Sequence, residues 1–234
     1  MGQAIFITGT DTGVGKTFFT CGLARLLRSY GYRVGVMKPA ETGCVMRNGM
    51  LYPEDAWQLK KASECAVPIE KVCPYPLPEP LAPSIAAERA GTRIDIDHLL
   101  AVFDEIKAAH DITLVEGAGG LMVPLLPSYT FADFVRVAKL PVIVVAANRL
   151  GAINHLLLTL EHASCKELRL LGYVLNRLSN EDSLAAETNR EVLLGLTGVA
   201  CLGELPFQGS GAALTDSFEA EIDFRTIDLW IGKT

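Results

Sequence analysis

The sequence predicts a doubly wound α/β fold built on a mostly parallel sheet, and three observations carry that expectation. Short β-branched runs alternate with longer stretches of helical periodicity, several of the runs are apolar throughout, and a glycine-rich turn joins the first run to the first helix. A strand apolar on both faces belongs in a sheet covered on both sides. Strand, helix, strand in succession means parallel crossovers, with ligands held beyond the carboxyl ends of the strands.

Residues 4–8 read as the first strand and residues 16–30, apolar at helical spacing, as the first helix. A second strand follows at 33–37 and a helix at 54–65. Residues 74–83 carry Pro74, Pro76, Pro78, Pro80 and Pro83; lacking N–H donors, they can form neither a central strand nor a helix interior. That stretch is a stiff connection or a wall of the site. Next come a helix at 96–109, the apolar strand 112–115, a helix at 130–138, a strand at 141–146, a helix at 154–163, a strand at 170–175, a helix at 181–196 and a strand at 199–205. With no internal repeat, low-complexity tract or linker, residues 1–234 are expected to form a single domain.

A chain that is 50% hydrophobic and 21% charged is too apolar for intrinsic disorder. Its longest apolar stretch, residues 140–147, is broken by Pro141 and is far short of the roughly 20 residues of a spanning helix. Met1 leads straight into the first strand with no basic region or small-residue cleavage site, so a cytoplasmic location is expected. The net charge of −6 is dispersed, which argues against nucleic acid or an anionic membrane and for small-molecule ligands. The six cysteines form no C-x-x-C pair, so they read as reduced thiols rather than a zinc site or disulfide framework.

The turn after the first strand is Gly9-Thr10-Asp11-Thr12-Gly13-Val14-Gly15-Lys16-Thr17. Glycines let successive N–H groups face phosphate oxygens, the helix start adds positive potential, Lys16 adds a full charge, and the Thr17 hydroxyl can ligate Mg²⁺. The strict G-x-x-x-x-G-K-[ST] pattern misses by one position, because Thr10 stands where its first glycine belongs. The flanking strand and helix nevertheless make it a phosphate-binding loop of the P-loop nucleoside-triphosphate hydrolase type. A dinucleotide fingerprint is rejected because Phe18 replaces its third glycine.

Glu116 ends the strand at 112–115 and precedes Gly117-Ala118-Gly119-Gly120, which leaves room for a ligand. It reads as a metal-ligating carboxylate or a solvated strand-end residue. Asp55, at the head of a helix, is on its own more naturally an N-terminal cap. Lys38 closes the second strand at the same sheet edge as Lys16, and two lysines facing one site imply an anionic ligand; a solvated loop lysine is the other reading. Asn176 could offer its amide to a base or serve as a turn residue. His155, His162, Trp57 and Trp230 carry no chemistry in this reading, the tryptophans serving as packing residues.

The sequence resembles the dethiobiotin synthetases over most of its length. The matching blocks are residues 9–17, residues 37–43, Glu54-Asp55-Ala56, Pro83-Ser84, Val115-Glu116 with the glycines after it, Phe131-Ala132-Asp133, residues 150–155, Asn176 and Gly203-Glu204-Leu205-Pro206. The resemblance implies an ATP- and Mg²⁺-dependent ligase that closes a ureido ring from 7,8-diaminononanoate (diaminopelargonate) and CO₂, through a carbamate and a carbamic-phosphoric mixed anhydride. It implies catalytic roles for Lys38, Lys16 and Thr12. Metal contacts fall to Thr17, Asp55 and Glu116. Nucleotide contacts are implied for Gly13, Val14, Gly15, Lys16, Thr17 and Phe18, for Asp55, Glu116, Gly117, Ala118 and Gly119, and for Asn176, Arg177, Leu205, Pro206 and Phe207. Substrate contacts are implied for Thr42, Pro83 and Ser84, and for Gly151, Ala152, Ile153 and Asn154 reaching in from the neighbouring subunit of a homodimer.

Two features depart from that pattern. Gly13 stands where some members have Glu, and residues 207–211 do not match the adenine-side residues expected there. The competing reading, a switch ATPase of the chromosome-partitioning or septum-placing type, calls for a second lysine where this chain has Asp11.

Overall fold

A computed structural model describes residues 2–180, 183–207 and 214–232, with the side chains of residues 214–217 excepted. In chain order, β1 (Gln3–Gly9) leads through the glycine-rich turn to α1 (Lys16–Ser29) and back to β2 (Val34–Met37). Short elements follow: β3 (Ala40–Thr42), the hairpin β4 (Val45–Arg47) and β5 (Met50–Tyr52), α2 (Glu54–Ser63), α3 (Ile69–Val72), β6 (Tyr75–Leu77) and α4 (Pro83–Arg89). Then come α5 (Ile96–Ala109), β7 (Ile112–Glu116), the small pair β8 (Pro124–Leu126) and β9 (Tyr129–Thr130), and α6 (Phe131–Val137). The remaining elements are β10 (Val142–Ala147), α7 (Ala152–Cys165), β11 (Leu170–Asn176), α8 (Leu184–Leu196), β12 (Cys201–Leu205), α9 (Leu214–Glu221) and α10 (Phe224–Ile231).

Six strands form one sheet in the order β12-β11-β10-β1-β7-β2, every pairing parallel. The apolar-throughout strands are explained by β1, whose alternate side chains enter opposite cores: Ile5 and Ile7 pack with α1 and α2, Ala4 and Phe6 with α5 and α6. Each expected strand and helix is present, with ends shifted by at most three residues. The last strand starts at Cys201 rather than 199, and α7 starts at Ala152 rather than 154. Residues 181 and 182 of the helix expected at 181–196 lie outside the described residues; α8 starts at Leu184. Among those described, no helix is long and apolar enough to cross a membrane.

The proline-rich stretch does contain a strand, but a peripheral one. β6 pairs only with β3, Glu41 opposite Pro76, and Pro83 starts α4, where a missing N–H costs nothing. Trp57 departs from the packing reading: it stacks on Tyr52 with ring centroids 5.8 Å apart, at the surface. The helices α9 and α10 brace α1. Phe218 lies 5.7 Å from Phe19, and a Cβ on Gly22 would fall 2.4 Å from the Phe218 ring, so glycine is what lets the two helices close up.

Candidate active site at the carboxyl edge of the sheet

Parallel register brings the chemistry to one edge. Ile7 pairs with Glu116 and Met37 with Val115, so the phosphate loop after β1, Lys38 after β2 and Glu116 at the end of β7 are neighbours. They open into a cleft of about 320 Å³ lined by Thr12, Gly13, Gly15, Lys16 and Thr17 from the loop. Lys38, Thr42 and Asp55 line it from one side, Ala118 and Gly119 from another.

Gly13 and Gly15 have φ of 70° and 91°, where side chains are disfavoured. Gly15 has a second reason: its Cβ would lie 2.0 Å from the Asn176 amide nitrogen. That amide donates to Val14 O at 2.9 Å, so Asn176 braces the phosphate loop from the sheet behind it. Val14 is buried and Phe18 packs on the core; neither lines the cleft. The glycines after Glu116 make room for protein as well as for ligand. A Cβ on Gly117 would lie 2.8 Å from the Phe6 ring, and Gly119 O accepts from Gly9 N at 3.2 Å.

The two lysines that face the cleft are not equivalent. Lys38 Nζ lies 2.7 Å from Asp55 Oδ2 and 2.6 Å from Glu116 Oε1, and Thr17 Oγ1 donates to the same Glu116 oxygen at 2.8 Å. Burial alone would lower the Lys38 pKa, but the two carboxylates outweigh it and hold the ammonium above the ordinary lysine range. Asp55 is in turn held below the ordinary carboxylate range, Lys38 overcoming the cost of burial. Among the described residues Lys16 forms no such ion pair: burial, then repulsion from Lys38, lower it to about 8. Its ammonium donates to Asp11 O at 3.0 Å. The positive potential of the cleft is therefore concentrated at Lys16 and the loop N–H groups, while Lys38 is balanced.

Asp55 is not the cap of α2. The cap is supplied from β3 by Glu41, which accepts from Asp55 N at 3.0 Å and Ala56 N at 2.9 Å. Glu41 also lines the cleft; the sequence reading gave it no role, since only the fold brings β3 to the start of α2. Thr17, Asp55 and Glu116 offer hard oxygen donors, and Glu116 Oε2 is buried without a hydrogen-bond partner among the described residues. Mg²⁺ commonly takes one or two carboxylates and completes its shell with phosphate and water, so this set fits it.

The other sequence candidates lie apart from the cleft. Arg177 pairs with Glu204 at 3.1 Å and, with Pro206, lines a separate hollow beside β12. Leu205 is buried and Phe207 exposed; residues 208–211 lie outside the described residues. Pro83 and Ser84 start α4 and do not line the cleft of their own chain, nor do Gly151, Ala152, Ile153 and Asn154 at the start of α7.

A parallel sheet with a phosphate loop at its carboxyl edge, a helix-start lysine and a hydroxyl beside a strand-end carboxylate define a P-loop nucleoside-triphosphate-binding protein. A family model described as an AAA domain matches residues 3–212. Solved structures share the fold. The septum site-determining protein MinD of Pyrococcus horikoshii, complexed with Mg-ADP, aligns over 99% of this chain and 91% of its own, with a TM-score of 0.57 and 18% identity. Cobyrinic acid a,c-diamide synthase from Mycobacterium smegmatis, with bound ATP analogue and magnesium, covers 98% and 94% with a TM-score of 0.59 and 15% identity. Sequence relatives are far nearer. The ATP-dependent dethiobiotin synthetase BioD of Thermodesulfovibrio yellowstonii is 39% identical over 88% of this chain and 90% of its own length. That of Anaeromyxobacter dehalogenans strain 2CP-C is 39% identical over 95% and 100%. The chain belongs to the ATP-dependent dethiobiotin synthetase family.

Proposed function

We propose that the chain is an ATP- and Mg²⁺-dependent carbon–nitrogen ligase that closes the ureido ring of dethiobiotin from 7,8-diaminononanoate and CO₂. The observation that carries the reading is the meeting of Lys16 and Lys38, from different strand ends, in one cleft with Asp55 and Thr17, with Glu116 buried behind them and bonded to Lys38 and Thr17. Assembling so many charges in a half-enclosed space is costly unless charge moves there.

In the proposed reaction one amine of the substrate is carboxylated by CO₂. A carbamate oxygen then attacks the γ-phosphorus of ATP, ADP leaves, and a carbamic-phosphoric mixed anhydride results. The second amine attacks the carbamoyl carbon, the ring closes and inorganic phosphate departs. The protein's share is positioning and charge neutralisation. The loop N–H groups and Lys16 are proposed to bind the phosphates and Lys38 to neutralise the carbamate; Thr12 and Thr42 face the same space. Mg²⁺, when bound by Thr17, Asp55 and Glu116, would offset charge on the phosphates. Asn176 and Arg177, with Leu205, Pro206 and Phe207, are proposed to meet the base.

The start of α7 gives the dimer proposal its support. Gly151–Asn154 form a helix N-terminus suited to a carboxylate, they do not line their own chain's cleft, and Leu150 and Leu158 beside them are exposed. A partner subunit would present that helix start to the substrate's carboxylate end and cover those leucines. Pro83 and Ser84 are proposed to meet the substrate from the other side.

The deciding experiment is phosphate release from ATP with and without the diamine and bicarbonate. Release that depends on both supports the ligase; the same rate without the diamine overturns it. Sedimentation showing only monomer under assay conditions would remove the dimer.

A further inference from the structure

We propose that Glu41 is a positioning residue that fixes Asp55 for the divalent cation by capping α2 from a different element. The inference rests on the metal role of Asp55 given above and goes beyond it.

The first N–H groups of a helix lack intrahelical partners, and those two or three residues in are normally satisfied by the side chain just before the helix. Here that residue is Pro53, which has nothing to offer, and no side chain of α2's own N-terminus caps it. The two N–H groups are those of Asp55 and Ala56, and each is taken by one oxygen of the Glu41 carboxylate. Both partners of a bidentate contact are thereby fixed. Holding the Asp55 nitrogen holds its Cα, and with it the carboxylate that meets Lys38.

Glu41 is itself rigid. It is 7% exposed, its strand pairs with β6, and the turn after it is pinned by Gly43 N to Glu79 O at 3.2 Å and Cys44 N to Leu77 O at 2.9 Å. This gives the proline-rich stretch a function, as the backing on which Glu41 stands. The carboxylate also answers an electrostatic problem: a helix N-terminus carries about half a positive charge, and α2 points that end at the place proposed for a cation. A negative group on those N–H groups removes the repulsion.

The test measures Mn²⁺ binding to the full-length protein with ADP, without turnover, from the electron paramagnetic resonance signal of free Mn²⁺. Glu41→Ala is expected to weaken Mn²⁺ binding about tenfold, the scale for removing a group that orients a metal ligand, and Glu41→Gln by less. In turnover, half-saturating Mg²⁺ should rise while kcat at saturating Mg²⁺ changes little. Should Glu41→Ala fail to fold, as judged by circular dichroism, Glu41→Gln carries the test. Asp55→Asn is the control. If it loses Mn²⁺ while both Glu41 variants bind as wild type, the inference fails and the ligase reading stands. If Asp55→Asn also binds normally, the metal role of Asp55 fails and the inference with it. A uniform loss of kcat at unaltered half-saturation would mark a merely structural cap and overturn the proposal.

Discussion

Lys38 Nζ sits 2.6 Å from Glu116 Oε1 and 2.7 Å from Asp55 Oδ2, so the cation of the site lies between the two carboxylates proposed to hold the metal. The ammonium balances two carboxylates whose charge Mg²⁺, when bound, would share. Glu116 is fully buried, and stripping the partner from a buried charge costs about 3 kcal/mol or more. Lys38→Met is therefore expected to lose about 3 kcal/mol of stability in divalent-free buffer. Added Mg²⁺ should restore more stability to the variant than to wild type, since a ligand stabilises the state it binds. Urea midpoints with and without Mg²⁺ measure both; equal Mg²⁺ responses would refute the competition. The same variant should lose at least about 3 kcal/mol of transition-state stabilisation.

Lys16 makes a pH-dependent contribution of the opposite kind. Burial and the Lys38 ammonium lower it to about 8 from the model-compound value of 10.5. Below pH 8 the folded and unfolded chains both hold the proton, and the folded state bears the cost of burying the charge. Between about 8 and 10.5 the unfolded chain holds more protons, so this group makes folding more favourable as pH rises through that window. Lys16→Met, neutral throughout, should exceed wild type in stability near pH 7 and lose that advantage by pH 10. A stability gap between the two that stays constant with pH would contradict the lowered pKa. Nucleotide binding by the variant should be weakened at every pH.

Much of the fold was legible because parallel strands buried on both faces are written as unbroken apolar runs, such as residues 142–147, and because Gly13, Gly15 and Lys16 have few uses other than phosphate binding. The sequence places Lys38 and Glu116 at strand ends and Lys16 and Thr17 just after one, and a parallel sheet brings such ends to one edge, where the start of α2 adds Asp55. The Lys38 pairing and the Glu41 cap were not legible. Both depend on distances between segments 14 to 78 residues apart, which periodicity does not encode. Asp55 looked like a cap because caps are usually local, and this one is not.

Asp133 belongs to a sequence block shared with the family, yet the structure gives it a task in the fold. Its carboxylate accepts from Thr130 N at 2.9 Å while Thr130 Oγ1 accepts from Asp133 N at 3.4 Å, closing a capping box on α6. Asp133→Ala should cost about 1 kcal/mol of stability and leave turnover unchanged, because the residue does not line the cleft. The Thr130 N–H, ahead of the other contacts, holds Asp133 below the usual carboxylate range. Its contribution is thus present above the ordinary aspartate pKa and fades as the pH falls through the lowered value. The stability gap between wild type and variant should narrow below about pH 4; a gap that stays constant in acid would show that the cap does not depend on charge.

The brace between Gly15 and Asn176 offers the sharpest separation of backbone from side-chain effects. Gly15→Ala meets two obstacles, a Cβ 2.0 Å from the Asn176 amide nitrogen and a φ of 91°. The collision can be relieved by shortening Asn176, whereas the backbone conformation, worth of order 1–3 kcal/mol, cannot. Gly15→Ala should abolish measurable ADP binding, and Asn176→Ala should weaken it through loss of the Val14 contact. The double variant should bind better than Gly15→Ala alone but remain below wild type, giving a favourable interaction term in the double-mutant cycle. Calorimetric titration of ADP into the four proteins reads this directly. Strict additivity would show that the amide does not press on the loop; full recovery would show that the left-handed conformation is dispensable.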